Sequence, residues 1–138
     1  MDAVAEPQFE RGDEGKGSFN NYKYDLLPSS RRTRLRLAGS NPHQQALADI
    51  VESGAAPLET AISRRSAEQE RVDAPIEVRL FTGSRVSPPV GYVPRGLESI
   101  VDEALSRLDK LGRKQRIPAA IVRKGGKYRV ELLMGETR

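Results

Sequence analysis

Cysteine is absent from this chain of 138 residues, and histidine occurs once, at His43. Without cysteine there are no disulfides and no cysteine zinc sites. One histidine is too few for a His-based metal site, because zinc draws on several Cys and His ligands. No metal or other cofactor is therefore expected. Aromatics are scarce. Of seven, Phe9, Phe19, Tyr22 and Tyr24 lie in the first 30 residues, leaving Phe81, Tyr92 and Tyr128 for the rest. No apolar run approaches the roughly 20 residues that span a bilayer. The opening "MDAVAEPQFE" lacks the apolar stretch of a signal peptide. These absences lead us to expect a soluble, cytoplasmic protein with no membrane partner.

Catalytic chemistry is also poorly supplied. His43 stands beside Pro42 at the start of a predicted helix, which suits a surface residue better than a positioned base. The carboxylate pairs Asp102/Glu103 and Glu68/Glu70 fall on the solvated side of a predicted helix and in a polar loop. Both read as solvation. "GKG" and "RKGGK" do not match the spacing of a phosphate-binding loop. No enzyme is expected.

What the chain does have is charge, unevenly placed. Residues 1–28 hold three basic and six acidic residues, whereas residues 29–138 hold 20 basic and 13 acidic. An acidic segment thus precedes a basic one, and a basic surface attracts phosphate backbones. "ERGDEGKGSFNN" is charged and Gly-rich with no apolar period, so residues 1–30 are expected to be a flexible acidic tail. Within it, residues 19–27, in the stretch "FNNYKYDLLP", have two readings: a disordered leader, or an extended segment docked on the domain or on a partner.

Residues 31–138 are expected to form one domain. "TRLRLA" alternates Leu35 and Leu37 with Arg34 and Arg36, a strand with one apolar face. Asn41 as N-cap, Pro42 and Gln44 predict a helix that Gly54 ends. "PLETAISRR", "IEVRLFTG" and "VGYV" predict strands, "SAEQERVDAP" a loop and "SRVSPP" a turn. The clearest helix spans 97–111, with Leu97, Ile100, Val101, Ala104, Leu105, Leu108 and Leu111 on one stripe. "RIPAAIVRKGGKYRVELLMG" reads as a closing hairpin around Gly125-Gly126. The expected fold is mainly β with two helices: a small six-stranded barrel of OB/SH3-like type, ordered β-α-β-β-β-α-β-β.

The candidate site is a nucleic-acid groove. Arg113, Lys114 and Arg116 precede one strand, and Arg123, Lys124, Lys127 and Arg129 flank the hairpin turn. Arg34 and Arg36 line the first strand, with Arg31 and Arg32 just upstream. On one barrel these cations would track phosphates, or else serve only as solubilising charge. Tyr92 and Tyr128 fit rim packing or base stacking.

"PPVGYVPRGLESIVDEALSRL" (88–108), with Val90-Gly91-Tyr92 leading into a helix, resembles the corresponding stretch of the HIRAN domain family. "RLRLAGSNPHQQAL" is similar to that family's first element, "APIEVRL" to its Ala-Ile-x-Val strand and "RIPAAIVRKGGKYRVELLMG" to its closing hairpin. The likeness covers about residues 33–135 and is that of a divergent, stand-alone bacterial-type member. It implies a barrel that binds single-stranded or branched nucleic acid, DNA ahead of RNA, with Tyr92 at its rim. It does not imply capture of 3′ ends: Ser40, Asn41, Pro42 and His43 follow Gly39 where such members carry aromatics, and the Asn-Pro-Tyr-Asp loop is replaced by "AEQERVDAP". The alternative function is a protein-interaction module using a barrel edge or residues 19–27.

Overall fold

Alternation of apolar and polar residues sets the sheet. In the computed structural model, residues 7–138 are described. They form β1 (Leu35–Arg36), α1 (Gln44–Ser53), β2 (Leu58–Ala61), α2 (Ala67–Arg71), β3 (Glu77–Thr82), β4 (Arg85–Val86), β5 (Gly91–Tyr92), α3 (Glu98–Lys110), β6 (Pro118–Lys124) and β7 (Lys127–Leu132). All strand pairings are antiparallel, in the order β1-β7-β6-β2-β3-β4. Register aligns the inward residues: Leu35 opposes Leu132, Leu132 opposes Ala119, and Ala119 opposes Leu58. Because side chains alternate faces, the neighbouring row of Arg36, Glu131 and Ala120 points the other way.

The sheet curls into a half-barrel, and β5 ties its ends together. Tyr92 pairs with Glu77 of β3 on one side. On the other it exchanges two backbone hydrogen bonds with Ala38, just beyond β1, at 2.8 and 2.7 Å. Gly91 permits this approach: a Cβ there would stand 2.6 Å from the Ala38 carbonyl oxygen. Pro94, which has no N–H to donate, follows soon after and the chain turns into α3. The face of α3 bearing Ile100, Val101, Ala104, Leu105 and Leu108 is buried, in one cluster with Leu35, Leu37, Leu80 and Leu132. Leu111, at the end of the expected stripe, is 60% exposed.

The expected order is corrected at two places. "SAEQERVDAP" contains α2, started by a capping box in which Ser66 and Gln69 satisfy each other's backbone N–H groups. "SRVSPP" contributes β4, whose Val86 opposes Phe81 across a tight turn at Gly83. There are thus three α-helices and seven strands among the described residues, rather than two and six. Among those residues no helix is long and apolar enough to cross a membrane.

Two carboxylates of α3 are buried. Asp102, expected on the solvated side, is 3% exposed and accepts hydrogen bonds from the Arg65 backbone N–H (2.9 Å) and Nε (2.7 Å). Glu98 is 1% exposed, paired with Arg95 and capped by the Gly96 N–H. Both survive burial because each has charged and N–H partners. Glu68, read as a loop residue, lies in α2 and pairs with Arg71.

Residues 1–6 of the expected tail lie outside the described residues. Within residues 7–30, particular residues are held on the barrel. Lys16 bridges Arg36 through backbone hydrogen bonds of 3.0 and 2.8 Å. Asp13 and Tyr22 are buried.

Two outcomes follow for stability. Gly91→Ala should lower it by about 1–3 kcal/mol, read as a shift in the denaturant midpoint, since the added methyl meets backbone. The Tyr22 hydroxyl is buried with no hydrogen-bond partner, and burial pushes its pKa up to about 12. An unfolded tyrosine ionises near 10, so this contribution is intact below pH 10 and is lost as pH rises toward about 12. The loss should be about 2–3 kcal/mol. Tyr22→Phe should abolish that alkaline loss and raise neutral-pH stability by about 1 kcal/mol, measured by denaturation across pH.

Candidate nucleic-acid interface

β1 and the segment before it carry exposed positive charge. Leu35 and Leu37 are held in the core, so Arg34 and Arg36 are turned outward. Just upstream, the backbone of Arg31 passes against Gly135, where a side chain would collide with the Arg31 carbonyl. The Gly135 N–H donates to the Thr33 carbonyl at 2.9 Å. This crossing brings residues 31–34 beside the chain's last turn. The result is a cavity of about 830 Å³ lined by Arg31, Arg32, Arg34 and Arg138 with one carboxylate, Glu136.

Two smaller cavities adjoin it through shared lining residues. Arg34 also lines a cavity of about 200 Å³ with Lys16, Arg36, Lys124 and Glu131. Glu136 also lines one of about 310 Å³ that holds Arg113, Lys114, Arg116 and Glu59. The three together form a continuous band of ten cationic and three acidic residues. Two of those acids have partners within the band: Glu131 lies 2.8 Å from Arg34, and Glu59 lies 3.6 Å from Arg116. Such a band has a net positive charge along its recesses, interrupted at Glu136, and a net positive field concentrates polyanions.

Of the expected site residues, Arg34, Arg36, Arg113, Lys114, Arg116 and Lys124 come together here. Four do not. Lys127 is exposed at the hairpin end and lines none of the three cavities. The Arg123 guanidinium lies over the Tyr128 ring, 4.8 Å from its centroid, and donates to the Gly126 carbonyl at 3.1 Å. Tyr92 is outside the band as well. Its hydroxyl lies 3.5 Å from Glu77, and its ring stands 6.0 Å from that of Phe9. Burial, and then the Glu77 charge, hold its pKa above the usual tyrosine value.

Arg129 is the clearest departure. It is 9% exposed, and its Nη1 donates to the Asp13 carboxylate at 2.8 Å. Asp13 also accepts from the backbone N–H groups of Ser40 (3.1 Å) and Asn41 (3.2 Å). The guanidinium is thus neutralised inside the fold, and it fastens the N-terminal segment to β7. Sequence reading missed Lys16 and Arg138, and took Arg31 and Arg32 as flanking charge. Only their adjacency to basic strand residues signalled them.

Compared with protein-family models, curated proteins and solved structures, the chain matches none. The interface therefore stands on its own geometry.

Asp13→Ala should cost about 3–5 kcal/mol, because it leaves a buried guanidinium and two N–H groups unpaired. Asp13→Ala combined with Arg129→Met should recover part of that loss. Urea denaturation of the three proteins checks both.

Proposed function

We propose that this protein is a non-catalytic module that binds nucleic acid along the cationic band. The observation that carries this reading is the gathering of charge: ten cationic side chains line three cavities that share Arg34 and Glu136. A polyanion with regularly spaced charges can engage such a row over its length, whereas a single small anion would use only one cavity. Affinity comes mainly from phosphate pairing and counterion release, so it falls steeply with salt. The curled sheet, closed by Val90-Gly91-Tyr92 ahead of α3, supports placing the chain as a divergent HIRAN-like barrel of the OB/SH3 type. DNA is the preferred ligand on that placement, single-stranded or branched.

A second reading has its own support. Residues 19–27 hold Phe19 and Tyr24, 49% and 105% exposed, beside the buried Tyr22. Two exposed rings on an anchored segment suit a protein partner. In this reading Phe19→Ser with Tyr24→Ser abolishes partner capture and leaves oligonucleotide affinity unchanged.

The test of the first reading is fluorescence anisotropy of labelled single- and double-stranded oligonucleotides at two salt concentrations. Arg31→Ala with Arg32→Ala should weaken binding at least several-fold. It should also reduce the salt slope by about 1.4, since each single-strand phosphate that is no longer neutralised removes roughly 0.7. Lys127→Ala, off the band, should change affinity far less. Absence of binding at low salt overturns the reading, as does an Arg31/Arg32 double variant that binds like the wild type.

A further inference from the structure

At one end of the band a cation lies over an aromatic ring. The Arg116 guanidinium lies 3.9 Å from the centroid of the Phe81 ring. Its Nη1 is 3.6 Å from Glu59, so the group has a ring on one side and a carboxylate at its edge. The side chain still keeps 32% of its surface exposed. It lines a cavity of about 580 Å³ whose other walls include Phe81, Val86, Ile62 and Lys114. Val86, opposite Phe81 in the sheet register, is 50% exposed. Arg116 and Lys114 also line the adjoining cavity of the cationic band. An apolar recess with a planar cation in its wall therefore opens directly off the phosphate track.

We propose that the Phe81–Arg116 stack is a platform for an unpaired nucleobase, and that the ligand of the band is therefore a single strand rather than a duplex. This rests on the nucleic-acid reading above and adds the ligand's form to it. Guanidinium planes and aromatic rings both stack on bases, and every base has a π-face, so the platform is sequence-tolerant. Arg116 touches the base. Phe81 is a positioning residue that holds the guanidinium at the recess. In duplex DNA the bases are stacked on one another and cannot enter the recess, so the duplex gains only phosphate pairing.

The experiment compares three labelled probes at one low salt concentration: an oligothymidylate, an abasic deoxyribose-phosphate strand of equal length, and a duplex. The wild type should bind the oligothymidylate about 10-fold more tightly than the abasic strand, the scale of one stacked base. Arg116→Lys keeps the charge but not the plane. It should erase that preference, read as the ratio of thymidylate to abasic affinity measured on the same variant. Phe81→Leu should reduce the preference, and Phe81→Trp should retain it. Equal wild-type affinity for thymidylate and abasic strands overturns the platform and leaves the band in place, as does an Arg116→Lys variant with full preference. Failure to bind any of the three probes overturns the band and the platform together.

Discussion

The rest of the structure depends on the close approach of Gly91 to Ala38. A sheet ordered β1-β7-β6-β2-β3-β4 has two edges, and an open edge exposes unpaired backbone groups. Here β5 lies between β3 and the end of β1, and Tyr92 is hydrogen-bonded on both sides. The curl it imposes gives the apolar face of α3 a concave surface to bury against. It also fixes the exit of β1, and with it the outward direction of Arg34 and Arg36. The glycine is thus a condition for the core and, at one remove, for the shape of the basic band.

Positive charge is sorted by environment. Arg65, Arg95 and Arg129 each face a buried carboxylate and serve the fold. Asp13–Arg129 pins the N-terminal segment to β7, Asp102–Arg65 ties α3 to the chain before α2, and Glu98–Arg95 closes the start of α3. Burial without a partner costs several kcal/mol per ion, which explains why no such arginine is left open. The exposed set behaves differently. Arg31, Arg32, Arg36, Lys16 and Lys124 line open cavities and remain available to an external polyanion. Two populations of the same residue types therefore do different work, and net charge alone does not separate them.

Much of this is legible in the sequence where the signal is local. The Leu35/Leu37 alternation, the Gly125-Gly126 hairpin and the stripe from Leu97 to Leu108 each depend on residues a few positions apart, and each forms as the pattern predicts. α2 escapes such a reading although Ser66 and Gln69 carry a capping signal, because no apolar stripe accompanies it. β4 escapes it because two residues are too few to show a period. The site is legible as composition but not as placement. Arg129 reads like its neighbours until Asp13, 116 residues earlier in the chain, is seen against it. Gln44 reads as a capping residue, yet it grips the Tyr128 backbone through its N–H (2.7 Å) and carbonyl (2.9 Å). Such partners are set by the closed sheet, which no short window contains.

The pairing of β1 with β7 has a consequence for how the chain reaches this state. Arg34 and Glu131 at that junction are 97 residues apart, and Asp13 and Arg129 are farther still. During synthesis the first strand emerges long before β7, its partner in the ladder. Pairings of such separation carry a large loop-closure entropy and slow the search. Until β7 arrives, Leu35 lacks its cross-strand neighbour Leu132, and the early chain exposes apolar residues between arginines. Those positive charges repel one another, which opposes association of nascent copies while the last hairpin is still being made.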